Sequence, residues 1–486
     1  MVGRVKLLVG GTLVAEPVGS IKTLNNIAIG SKAGSKSSGN NNVVMGNNAG
    51  TQHFGENSVV IGNNANNFSG KTAVDGTKMG GDTQARARHV VAIGDGAMTW
   101  GEYSIAIGRG AKTESIKYDV EDRGSLYRTA ESAIALGMNS TANGYRSIAQ
   151  GVDAKAERDH SIAIGSNAQV LVKPSATRLA GEGNVAIGRN ALIGNNVGRG
   201  STAIGYNAKV LGVGSIQMAV GAESVSTGSL TSAVGMRAQA HGDTTSVFGN
   251  HAQVAGGFDN AAIGVSAFTG SSFNQAAIGV GTIAKNRGTV AIGSGSMSFG
   301  KNSTVIGATG GVYRARVGQA LEGKITKITD QNFSIVGGDG NTAIGNANLI
   351  GDTSHDNLVL GNQVKIGADS ASVTRSSTEL KASNKKVEYY DCTAIYEGKK
   401  SVNRAIAIGQ GVKVAADDAI AQGTSASAMG DSAIAIGTGA QSKEVAENGI
   451  AFGTRALTNA ADAIAVGTLS KSSGESAVTI GKKLIL

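Results

Sequence analysis

Gly295 to Asn302 reads GSMSFGKN, and its glycines and lysine fall where a phosphate-binding loop would place them. That loop needs a Ser or Thr hydroxyl after the lysine to hold magnesium, and Asn302 stands there instead. The same glycines lie two and seven residues after Gly293, positions that recur along the chain, so the match reads as a product of repetition. Glu121-Asp122 and Asp417-Asp418 are acid pairs, and glycan hydrolysis uses two carboxyls roughly 5 to 10 Å apart across a cleft. Neighbouring acids with no cleft signal around them read as solvated charge. His53, His89, His160, His241, His251 and His355 lack metal-ligand spacing. The expectation is no catalytic, cofactor or metal site, and no enzyme.

Binding chemistry is better represented. Between Arg375 and Arg404 there are seven Lys or Arg against four acids, with tyrosines among them. Aromatic faces suit sugars or protein surfaces, and cations suit anionic glycans. Lys385, Lys386, Tyr389, Tyr390, Tyr396, Lys399 and Lys400 are the candidate receptor contacts. Gln150 and Gln422 stand where comparable positions hold Ile, Leu, Val, Met or Phe. Buried amides need partners. These two fit either a register-setting contact between three copies of the chain or an exposed strand end.

These residues must be positioned by a repeat. Glycine-ended units such as Ala149-Gln150-Gly151 and Ala163-Ile164-Gly165 recur about every 14 to 17 residues. Three and one residues before the glycine stand mostly Ile or Val, with a small residue between them, as in Ile162-Ala163-Ile164. That alternation reads as a short strand. Two residues after the glycine comes Asn, Asp or Gly (Asn48, Asn64, Gly96, Asn139, Asp153, Asn167, Asn190, Asn207), all tolerant of a positive φ. Small apolar residues follow, as in Ala154 and Ala156, and a second glycine often stands seven after the first, as in Gly101, Gly144 and Gly430. Each unit is therefore strand, turn, strand, turn: one coil of a β-solenoid.

Composition agrees. The 486 residues include 73 Gly and 2 Pro, with 4% aromatics, which suits thin stacked layers rather than a thick globular core. Some 25 coils at about 4.8 Å spacing would form a rod on the order of 120 Å long. Both faces of the Ile-Ala-Ile strand are apolar or small, so both require cover. A coil covers one, and a further copy of the chain is the simplest cover for the other. The net charge of +9 is scattered without a stacking aromatic face, which argues against nucleic acid as a partner. Cys392 is the single cysteine, so no disulfide forms within the chain. No apolar run approaches the roughly 20 residues of a membrane-spanning helix.

"SIAIGSNAQV", "NVAIGRNALIG", "STAIGYNAKV" and "SAIAIGTGAQS" resemble the head repeats of trimeric autotransporter adhesins, the YadA-like left-handed parallel β-roll. The resemblance covers roughly 26–486 less the insertions. It implies an all-β roll of about 25 short coils, assembled as a homotrimer and devoted to surface adhesion.

The expected organisation is an N-terminal attachment segment over 1–25, where the apolar run of MVGRVKLLVGGTLVAEP is broken by Gly10 and Gly11. A roll follows over 26–364, with loop or hairpin insertions at about 63–90, 112–131, 170–183 and 310–340. A basic, aromatic insertion spans 365–405, and a C-terminal roll spans 406–486. Without a persuasive signal peptide, heptad stalk or C-terminal anchor, the setting expected is a phage tail fibre assembled in the host cytoplasm. Its partners would be other copies, virion proteins at one end, and a bacterial surface glycan or outer-membrane protein. The alternative is the passenger of a bacterial trimeric adhesin on the cell surface.

Overall fold

A computed structural model describes residues 25–34, 39–51, 55–66, 88–114, 116–120, 124–128, 130–171, 182–307, 328–329, 333–382 and 385–482. It divides into two compact units, Met1–Leu230 with Ala382–Lys385, and Thr231–Lys381 with Lys386–Leu486. Each is a parallel β-solenoid, and no helix occurs among the described residues.

One coil of the first unit shows the design. The strand Ile134–Leu136 is followed by a turn, the two-residue strand Thr141–Ala142 and a second turn. The next coil stacks on it in parallel register, Ile134 beside Ile148, Ala135 beside Ala149, and Thr141 beside Lys155. The second unit repeats the pattern from Ser232–Val234 to Val478–Ile480.

The interior of the first unit is built mostly of alanine, and that of the second mixes alanine with valine and isoleucine. Ala135, Ala149, Ala163 and Ala186 from the longer strands share one fully buried cluster with Ala154, Ala168, Ala191 and Ala208 from the second halves. Such small side chains let two backbone layers close on each other. The residue four before most repeat glycines is also buried but often polar, and it serves the second turn. Ser147 Oγ donates to Gly144 O at 2.7 Å, while Asn357 donates to Val402 O at 2.9 Å and accepts from Ala405 N at 2.8 Å. These bonds satisfy groups that burial would otherwise penalise by about 1–3 kcal/mol each.

The first turns are as the sequence implies: Asn139, Asp153 and Asn167 have φ of 55°, 56° and 56°. The second turns also use positive φ, at Tyr103, Arg146, His160, Ile216 and Leu230, side chains that gave no turn signal. There each coil is held by its neighbour. Arg146 N donates to Glu131 O at 2.9 Å and His160 N to Tyr145 O at 2.8 Å.

The flanking Ile positions point outward. Ile148, Ile162 and Ile164 are half-buried, and Ile107, Ile204, Phe248, Ile263 and Phe452 are exposed. Each solenoid unit thus carries an apolar outer stripe along its longer strands.

Insertion boundaries shift where an end still contributes to a coil. Lys112–Thr113 belongs to the roll, and the insertion after it is an antiparallel hairpin, Ile116–Val120 with Gly124–Arg128. Ile335–Val336 and Lys365–Ile366 likewise pair with roll strands. Ile366, Val402 and Ala405 are buried within a core cluster, which ties these flanks to the solenoid. The fifth insertion proper is therefore a hairpin of Ser370–Ala382 and Lys385–Glu397. Ile328–Thr329 from the fourth insertion pairs antiparallel beside its first arm, Ile328 opposite Val373, so two insertions distant in sequence share one small sheet. The N-terminal 1–24 and most of the first and third insertions, 67–87 and 172–181, lie outside the described residues.

Candidate functional site

The hairpin docks on the outside of the second unit, and the roll is altered to receive it. Four residues after the repeat glycine the side chain points outward, and elsewhere it is usually Lys, Gln, Thr or Ser, as at Lys155, Gln169 and Lys209. Over five successive coils the equivalent place in the stack is held by Phe268, Ile283, Met297, Ile335 and Leu349, all buried, with Ile335 reaching it after the fourth insertion. They pack in one cluster with Ala371, Val373, Cys392 and Tyr396 of the hairpin and with Phe299 and Phe333. Phe268, Ile283, Met297 and Leu349 stand four residues after Gly264, Gly279, Gly293 and Gly345, and these four departures from the polar rule are the signal that could have located this face.

Ionic contacts surround the apolar seam. Lys285 Nζ lies 3.2 Å from Asp391 Oδ1 and also donates to Cys392 O. Lys399 Nζ lies 2.7 Å from Asp352 Oδ2, and Lys400 Nζ 3.3 Å from Glu444 Oε1. Where the chain returns to the roll, Arg404 clasps Asp418 through two 2.7 Å bonds. The shared hydrogen bond holds the Asp418 carboxyl below its usual range and raises the Arg404 guanidinium.

A cavity of about 310 Å³ opens between hairpin and roll, walled by Lys285, Phe299, Gly337, Asp339, Asp352 and Tyr396 among others. Tyr396 is 4% exposed. Its phenol has no hydrogen-bond partner among the described residues, and the same holds for Asp352 Oδ1. Burial, and then the Asp352 charge, push the phenol well above its ordinary pKa, so it remains a neutral hydroxyl.

The candidate residues therefore separate. Tyr396 faces inward: its ring fills the seam that anchors the hairpin, so any contact it makes to a receptor is from within the seam. Lys399 and Lys400 are partly exposed and ion-paired. Lys385, Lys386, Tyr389 and Tyr390 lie on the strand Lys385–Glu397, with side chains outside the described residues. Gln150 and Gln422 are exposed on the outer face of their strands, beside Leu136 and Ile164, and Ile408 and Ile436. Within one chain they are exposed strand ends.

The other chemical candidates are absorbed by the coil. Met297–Ser298 is a strand where a phosphate loop would open a helix, and Asn302 N donates to Arg287 O within a second turn. Asp417 accepts from Asn403 N at 2.8 Å. His89 stacks on Tyr103, and His160 meets Tyr145 edge-on. Glu121-Asp122 and His53 lie outside the described residues. Buried Arg158 donates to the carbonyls of Leu171, Asn195 and Val197, a structural brace where the rhythm breaks.

Residues 91–111, 142–168, 197–216, 277–296, 284–309, 415–440 and 446–470 match the family model described as the YadA head domain repeat. No curated protein matches the chain. Every matched stretch lies in a solenoid unit, and the parallel coils of each unit fit a YadA-like β-roll. Such repeats form adhesin-like, surface-displayed heads and are structural and adhesive rather than typically enzymatic.

Proposed function

We propose that the chain is the non-enzymatic shaft and display element of an adhesive fibre. It assembles as a homotrimer through the apolar outer stripe and presents the 370–397 hairpin to a bacterial-surface partner. The observation that carries the reading is the change from polar to apolar across Phe268, Ile283, Met297, Ile335 and Leu349. A roll with only a spacer's task has no need to rebuild five coils to seat a hairpin. The roll supplies rigidity, and the hairpin supplies a feature that the repeats lack.

The setting we propose is a phage tail fibre attaching to its bacterial host, with a bacterial trimeric adhesin as the alternative. The roll and hairpin serve either. Antibody against the hairpin, applied to purified phage particles and to bacterial envelopes, separates the two by where the chain is found. For function, residues 377–390 are replaced by a short Gly-Ser turn, which leaves Val373, Cys392 and Tyr396 in place. The expected result is an intact trimer with lost binding to bacteria. Unchanged binding would overturn the display role.

A further inference from the structure

We propose that the cavity between hairpin and roll is a binding site for one neutral pyranose unit of a saccharide. This deepens the adhesive reading and rests on it only for the source of the sugar.

The cavity has the right scale and walls. It is an open cleft of about 310 Å³, at the small end of the volumes of small-ligand sites, enough to seat a ring and not a long chain. Phe299, Ala394 and the Tyr396 ring give it apolar surface, and Lys285, Asn286 and Asp352 give it polar groups. A pyranose has the same two-sided character, with C–H faces and a rim of hydroxyls.

Its unsatisfied atoms then narrow the chemistry. Asp352 Oδ1 and Tyr396 Oη are both buried without a partner among the described residues. A carboxylate oxygen only accepts, while a phenol donates and accepts. Once a small shift of the wall uncovers them, one ligand hydroxyl can donate to the Asp352 carboxylate, another can accept from the Tyr396 phenol, and a further one can accept from the Lys285 ammonium. Adjacent hydroxyls on one rigid ring meet that demand.

Charge excludes the obvious competitors. Asp352 is paired with Lys399 and Lys285 with Asp391, while Asp339 adds a further carboxylate to the wall. No surplus cation remains in this wall to select a phosphate or carboxylate, and Lys285 opposes a metal ion. The cavity therefore suits a neutral sugar rather than the anionic glycan that the basic composition of this segment implies.

The test uses the full chain and methyl glycosides of glucose, galactose, mannose and N-acetylglucosamine, read by saturation-transfer NMR. At least one should bind. Tyr396→Phe, which keeps the ring and loses the hydroxyl, should weaken it about tenfold, the loss of one buried hydrogen bond to a ligand. Thr393→Trp, at an exposed position on the wall, should abolish it by filling the space without touching the seam. Circular dichroism of both variants confirms the fold. No binding by any of the four, or binding unchanged in Thr393→Trp, overturns the proposal. Because the sugars are free in solution, that failure is separate from loss or retention of cell binding in the 377–390 replacement.

Discussion

Gly151 and Gly165 hold the same place in successive coils, and a Cβ built on the first falls 2.5 Å from the carbonyl oxygen of the second. Gly151 also has a φ of 132°, which side chains avoid. Two independent constraints meet at one atom. Gly151→Ala should therefore destabilise the first unit by roughly 3 kcal/mol or more, from backbone strain together with overpacking. Gly96 has a φ of 64° and open space where its Cβ would be, so Gly96→Asn should be nearly neutral. Denaturant unfolding of the pair checks this, and equal effects would remove the explanation.

The outer stripe separates folding from assembly. Ile164 is half-buried and outward-facing in a single chain, whereas its neighbour Ala163 is fully buried. Ile164→Asp should leave a folded chain that sediments as a monomer, because the carboxylate is costly only when a second copy covers it. Ala163→Asp should prevent the coil from folding. A trimer surviving Ile164→Asp would show that the assembly surface lies elsewhere.

The seam under the hairpin can be opened from the roll side. Ile283→Lys restores the residue type found at the equivalent Lys155 and Lys209, so the coil itself should tolerate it. The hairpin loses an apolar contact worth about 1.5–3 kcal/mol and meets a charge. Limited proteolysis should then cut within 370–397 faster than in the parent chain, with roll circular dichroism unchanged. Equal cutting would mean that the seam does not hold the hairpin.

Acid should loosen the second unit through His241. Its imidazole is 1% exposed, and desolvation lowers its pKa from 6.5 to about 4. The unfolded chain binds the proton more readily, so stability is full above pH 6.5 and falls as the pH drops toward 4. Linkage puts the loss at about 2 kcal/mol by pH 5. Comparing melts at pH 7 and pH 5 for the parent and His241→Gln isolates this effect. The variant should lose that share of the pH dependence.

Strand, first turn and coil could be read because each depends on residues within one repeat. Ala163 between two isoleucines marks the strand, and Asn167 two residues after Gly165 marks the turn, while the inward side is decided by the stacked alanines of the folded coil. The second turn could not be read that way. Tyr103 and Ile216 adopt positive φ because the coil below accepts their N–H groups, a stacking effect with no local signature. The inward place of Tyr396 could not be read either, because it is set by Phe299 and Phe333 from coils far away in sequence.

The parallel register has an evolutionary consequence. Coils such as 137–150 and 151–164 present nearly the same upper and lower edges, so unequal recombination can add or remove one without leaving an unmatched end. Length in such stretches is set by the gene, with no ruler in the fold. The coils from Phe268 to Leu349 are exempt, since the hairpin needs five particular neighbours in order. That segment is a fixed address around which the rest of the roll can grow or shrink.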